Sequence, residues 1–177
     1  WYLAGLLGEY MLASRIPTAL ANTEPYVVPH GAYRVAGKGP TGADNWLVIA
    51  AETDEQWTGL ATLLGHPEWA KDGHPWASIT GRLAAREMID TEIATFARQQ
   101  DRWELANAVQ AAGAIAAPVL EPSALLSSPQ LQARGWFVPV AHQYLGERLM
   151  HGFLARVTPD TPKWERPAGL VGEHNVE

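Results

Sequence analysis

The chain contains no cysteine. Disulfides and thiolate metal sites are therefore excluded, and the cytoplasm is the simplest compartment to expect. Long apolar runs are missing too: none approaches the ~18 residues needed to span a bilayer. Residues 1–14 have neither the basic start nor the apolar block of a signal peptide, so no membrane partner is expected. Charge is sparse, at 18% of residues, and the balance is −6. That surplus of acid argues against nucleic acid as a partner. An anionic ligand would have to be held by local dipoles or cations rather than by the overall field. Neither GxGxxG nor GxxxxGK[ST] occurs, which removes the familiar phosphate loops. There is no GxSxG elbow, and the six histidines show no HExxH spacing. No nucleophile–base pair can be assembled from the sequence.

What is present describes an ordinary folded domain. Hydrophobic residues make up 47% of 177, enough length and apolar content for a real core. Eight tryptophans point to core and interface packing. A chain that opens on Trp1 rather than Met, and closes without a final element, is expected to be a piece of a longer polypeptide.

The stretch 22–57 organises the rest. A Pro-punctuated loop, 22–31, leads into a short apolar run at 32–36. A polar turn at 38–45 follows, then a second apolar run at 46–51. In that second strand Trp46, Val48 and Ala50 alternate with Leu47 and Ile49, so both faces are expected to be covered. Thr53-x-x-Gln56 matches a capping box and predicts a helix from Asp54, with Trp57, Leu60, Ala61 and Leu64 as its stripe. Gly65 and Pro67 end it. Before all this, residues 1–14 have helical spacing and are read as a helix ended by Pro17.

Downstream, 68–71 is expected to be a turn of helix and 80–98 the longest helix. In the latter Ala85, Ile89, Ile93 and Phe96 face inward, and Arg82, Arg86, Glu87, Asp90 and Glu92 face water. Asp101-x-x-Glu104 caps a further helix to Ala112, closed by Gly113. The run 114–120, broken by Pro118, predicts an edge strand. One helical turn at 123–126 and a short helix from Ser128-Pro129 to Arg134 follow. Strands at 136–141 and 148–153 complete the pattern, and a Pro-rich exit starts at 158. The fold class expected is α+β: a small antiparallel sheet flanked by helices, with a detached N-terminal helix and an extended C-terminal linker. The domain plan is 1–21 linker helix, 22–157 small domain, 158–177 return linker.

Three side chains are candidates for a binding cleft. His30 sits between Pro29 and Gly31, either bonded to backbone or lining a cleft. Asp54 opens a helix, where it either compensates the dipole or serves as an acid/base group. Tyr26 is the aromatic of the same loop. His142 and His151 face each other across the late hairpin as a weak metal pair, or are simply half-exposed strand residues. His174 is expected to dock the C-terminal segment.

Several segments together resemble the class III CoA-transferase family, the CaiB/BaiF group that includes the α-methylacyl-CoA racemases. They are Asn22-x-x-Pro25-Tyr26-x-x-Pro29-x-Gly31-x-Tyr33; Trp46–Ala50 with Asp54-x-Gln56-Trp57 and Leu64-Gly65-x-Pro67; Gln110–Gly113 with Ala117-Pro118-Val119; Ser128-Pro129-Gln130-Leu131-x-Ala133-Arg134-Gly135; and Arg166-Pro167 with Gly172-Glu173-His174. The resemblance implies the smaller domain of an interlocked homodimer that moves CoA between an acyl-CoA and a carboxylic acid through an aspartyl thioester. CoA is then a substrate, and no tightly bound cofactor is expected. The nucleophilic Asp of the family matches no residue here, so no catalytic residue is assigned and the chain alone is expected to be inactive. Where some transferases carry a glycine-rich loop, this chain has Pro25-Tyr26-Val27-Val28-Pro29, and the resemblance implies that Tyr26 or His30 lines the acyl pocket. The racemases place a catalytic Glu at about Asp54, so a racemase is the alternative within the family. A non-catalytic interaction domain is the alternative of another class.

Overall fold

The computed structural model describes every residue except 1–2, 15, 17–19, 154, 165, 174 and 176–177. Pro17 and His174, and what was expected of them, lie outside the described residues. The chain forms two compact units, Trp1–Val119 and Leu120–Glu177.

The first unit opens with α1 (Ala4–Ala13), none of whose residues is buried. Three antiparallel strands follow in the order β1 (His30–Lys38), β2 (Asp44–Ala50), β3 (Ile115–Val119). Pairing Tyr33 with Leu47 and Ile49 with Ala116 fixes which side chains share a face. Tyr33, Val35, Leu47, Ile49 and Ala116 point to the core. Pro118 sits on an edge strand, where its missing N–H breaks no ladder.

The opposite face differs from expectation. Trp46 and Val48 each remain 40% exposed, so β2 is covered on one side only. The cause is the placement of the helices. Buried side chains of α2 (Asp54–Leu63), α4 (Arg86–Ala97) and α5 (Arg102–Ala111) all join the cluster that contains Leu47 and Ile49.

Local chemistry sets the helix ends. Thr53 Oγ1 accepts the Gln56 amide at 3.3 Å and Gln56 Oε1 accepts the Thr53 amide at 3.4 Å, completing the capping box of α2; the same Oε1 also accepts the Glu52 amide at 2.7 Å. Gly65 then takes φ +88°, a left-handed turn that suits glycine. Asp101 Oδ1 accepts the amides of Trp103 and Glu104 and starts α5. Two 3-10 turns, Pro67–Ala70 and Pro75–Ala77, carry Trp69 and Trp76 against α2. Trp57 and Trp69 stack at 6.2 Å between centroids, and Trp76 meets Trp69 edge-on at 4.7 Å.

The expected helix 80–98 is two helices, α3 (Ile79–Ala84) and α4, broken at Ala85. Arg82, expected in water, is instead fully buried. It lies on α3, ahead of the break, and not on the helix that carries Ile89.

The second unit holds two short helices, α6 (Pro122–Leu125) and α7 (Pro129–Ala133), and the hairpin of β4 (Phe137–His142) with β5 (Gly146–His151). Its register pairs His142 with Gly146 and Phe137 with His151. The two histidines therefore sit at opposite ends of the hairpin and form no pair.

Candidate functional site

The site is built on the loop that feeds β1. At its start the Asn22 side chain imitates a neighbouring strand: Oδ1 accepts the Ala32 amide at 2.6 Å, and Nδ2 donates to the Ala32 carbonyl at 3.0 Å. Gly31 makes room for this, since a Cβ there would lie 2.9 Å from Asn22 Nδ2. Further along, Arg86 donates to the Glu24 carbonyl at 2.5 Å. Arg82 Nε donates to the Val28 carbonyl at 3.1 Å. At the end, the Ala51 amide donates to the Pro29 carbonyl at 3.0 Å.

Between this loop and the exposed sheet face lies a recess of about 350 Å³. Its walls include Asn22, His30, Ala32, Val48, Ala50 and Ile115. The lining is largely hydrocarbon, with His30 and the loop's polar groups at one side. Such a recess suits an apolar group carrying one polar end; among the described residues no lysine or arginine lines it.

The three candidate side chains are not brought together. His30 lines the recess. Tyr26 lies on the same loop, 78% exposed, and is not among the walls. Asp54 stands in the first turn of α2, where a carboxylate complements the helix dipole. Its Oδ1 receives Arg82 Nη2 at 2.8 Å, although 69% of its side chain is exposed.

Arg82 is the residue that hydropathy reading missed. Its Nη1 also donates to the carbonyls of Ala77 at 3.0 Å and Trp76 at 3.4 Å, and its guanidinium lies 5.5 Å from the centre of the Trp57 ring. No spacing signal could have found it, because the chain breaks at Ala85 between Arg82 and the apolar stripe of α4.

Nearby, the buried Tyr33 hydroxyl donates to Asp90 Oδ1 at 2.6 Å. Burial, and then that bond, push the phenol far above its usual range, so Tyr33 stays neutral. Among the described residues no group of three or more His, Asp or Glu is placed to hold a metal ion. None of their helices is long and apolar enough to cross a membrane. In the second unit a recess of about 410 Å³ lies against one face of the β4–β5 hairpin, lined in part by Arg148, Trp164 and Arg166.

Comparison with known proteins adds the family. The model of CoA-transferase family III matches residues 1–175. The chain is 31% identical over 163 residues to a probable CoA-transferase of Mycobacterium tuberculosis, covering 90% of this chain and 20% of that protein. It is 29% identical over 177 residues to the succinyl-CoA–D-citramalate CoA-transferase of Chloroflexus aurantiacus, covering 99% and 42%. To the succinate–glutarate CoA-transferase of Agrobacterium fabrum it is 28% identical over 170 residues, covering 96% and 40%. The chain thus spans less than half the length of these curated relatives. Among solved structures, a CaiB/BaiF family protein from Brucella suis superposes with a TM-score of 0.63 at 24% identity, over 91% of this chain and 41% of that one. A Mycobacterium tuberculosis protein in an orthorhombic crystal form gives 0.72 at 18%, over 99% and 43%. At those identities the two structures show a shared fold.

Proposed function

Because the chain belongs to CoA-transferase family III, we propose that its parent protein moves CoA between an acyl-CoA and a carboxylic acid, and that this part closes the active site over the acyl group. The observation that carries this reading is the apolar recess at the start of β1, with His30 on its wall and no lysine or arginine among its described lining residues. An acyl chain gains roughly 0.8 kcal/mol per buried CH₂ in such surroundings. His30 would meet the polar carbonyl end. The names of the relatives, which transfer CoA from succinyl-CoA or between dicarboxylates, support the reaction class.

CoA is then a substrate, and no tightly held cofactor is needed. The thioester-forming carboxylate belongs to another part of the parent, so this chain alone carries no transfer. We place the parent in the cytoplasm as a homodimer. The half-exposed Trp46, Val48, Ile115 and Val119 support a face that is covered in the assembly. Transfer is favoured over racemisation because Asp54, the group a racemase would use to move a proton, has one oxygen committed to Arg82.

The test uses the full-length parent. Val48→Phe fills the recess without entering the buried core. It should raise KM for acyl-CoA about tenfold, equivalent to about 1.4 kcal/mol. His30→Ala should raise it as well. Unchanged KM in both variants would remove the recess from the acyl site.

A further inference from the structure

We propose that Arg82 and Arg86 are positioning residues that hold the 22–29 loop, whose two ends set Asn22, Thr23 and the following His30 on the wall of the recess, so that the site is preformed and needs no loop closure. The inference rests on the acyl-site reading of that recess. The two arginines flank the break at Ala85, Arg82 on α3 and Arg86 at the start of α4, and reach the same loop at different points. Arg86 holds the Glu24 carbonyl and Arg82 the Val28 carbonyl. Asn22 pins the beginning to Ala32, and the Ala51 amide pins the end at Pro29. A loop tied at four places within eight residues has little freedom left to act as a lid.

The choice of arginine follows from the geometry. Arg82 directs Nε, Nη1 and Nη2 to different partners at once: Val28, the Trp76–Ala77 turn, and the Asp54 carboxylate. Only a planar fork with several N–H donors serves all of these, and a lysine at the site would leave carbonyls unmet. A fully buried cation also needs a counter-charge, and Asp54 supplies it at 2.8 Å. The pair therefore links the loop before β1 to the helix start after β2, and His30 and Ala50, opposite each other in the register, sit between those two anchors. Substrate bound against such a wall does not have to order it first, which lowers KM.

The experiment compares full-length wild type, Arg86→Gln, Arg86→Lys and Arg82→Lys. A control, Val109→Ala, lowers stability from the far side of the core. Arg86 is only partly buried, so its variants fold even where Arg82→Lys does not. Backbone hydrogen exchange at residues 22–32 and steady-state kinetics are both measured. In Arg86→Gln, exchange at 22–28 should quicken at least tenfold while α5 is unmoved, and KM for acyl-CoA should rise three- to tenfold with kcat changed less. Arg86→Lys, which keeps a donor for Glu24, should recover most of both.

Exchange that rises no more than in Val109→Ala overturns the proposal. So does a mobile loop with unchanged KM in a parent whose KM does respond to Val48→Phe. A parent insensitive to Val48→Phe refutes the acyl-site reading instead, and exchange at 22–28 then still decides whether the arginines fix the loop.

Discussion

Replacing Gly59 by alanine tests the packing of the first unit where two rules give opposite signs. Gly59 lies inside α2, where alanine is better by about 1 kcal/mol on helix propensity alone. The structure says the change destabilises. A Cβ on Gly59 would stand 1.8 Å from the carbonyl oxygen of Ala112 and 2.9 Å from its carbonyl carbon. Both are backbone atoms at the end of α5, so no side chain can swing aside. Restoring ordinary contact requires α2 and α5 to part by more than an ångström. That separation strips contacts from Leu60 and Val109, both fully buried. Overpacking of this kind costs about 3 kcal/mol or somewhat more. Less the propensity gain, the net loss is about 2 kcal/mol. Urea unfolding of the purified chain, followed by far-ultraviolet circular dichroism, reads it directly. With a slope near 2 kcal/mol per molar, the midpoint should fall by about 1 M. Gly65→Ala provides the contrast, since it meets open space and pays only for φ +88°, about 1 kcal/mol. A Gly59→Ala chain as stable as wild type would show that α2 and α5 do not cross at Gly59.

Two smaller changes follow from local chemistry. Tyr33→Phe removes the bond to Asp90, a carboxylate with some access to water, and should cost about 1 kcal/mol at neutral pH. Because the folded phenol titrates above its unfolded value of about 10, the folded state keeps its proton longer than the unfolded state does. The stability Tyr33 contributes is present below that pH and is lost as pH rises beyond it. Tyr33→Phe should therefore flatten the alkaline limb of a thermal-midpoint profile, and an unchanged limb would refute the linkage. Thr53→Ala opens the capping box and should cost about 1 kcal/mol, seen as a lower urea midpoint with an unaltered slope.

Of these predictions, only the Thr53 cap was plain in the sequence; the Gly59–Ala112 and Tyr33–Asp90 contacts are tertiary. The capping box at Thr53, the stripe from Trp57 to Leu64, the stop at Gly65 and the cap at Asp101 each depend on residues within one turn of each other. Short-range chemistry of that kind is written in the order of the side chains. The edge position of β3 was legible for the same reason, since one proline forbids a central strand. Which face of the sheet the helices would cover was not. Trp46 and Val48 are as apolar as Leu47 and Ile49, and alternation assigns them to one side without saying whether anything lies there. The pairing of His142 with His151 failed because a hairpin's register depends on where its turn closes, and the turn closed between His142 and Gly146.

Arg82 shows why the candidate site was harder to read than the fold. Hydropathy places an arginine in water, and a burial rule drawn from averages agrees. Its burial is met by partners that wait inside: three backbone carbonyls, the Asp54 carboxylate and the Trp57 ring. None of those partners is within one turn of it in sequence; the nearest, Ala77 and Trp76, stand five and six positions before it in a turn that the helical pattern did not predict. A buried charge thus becomes legible only when its counter-charge and acceptors are known to converge. That convergence gives Asp54 a role separate from acid/base chemistry. It also turns a loop that looked free, with five residues between Asn22 and Val28, into a braced wall beside His30. Bracing of that kind leaves the loop little freedom to reorder when a ligand settles beside it.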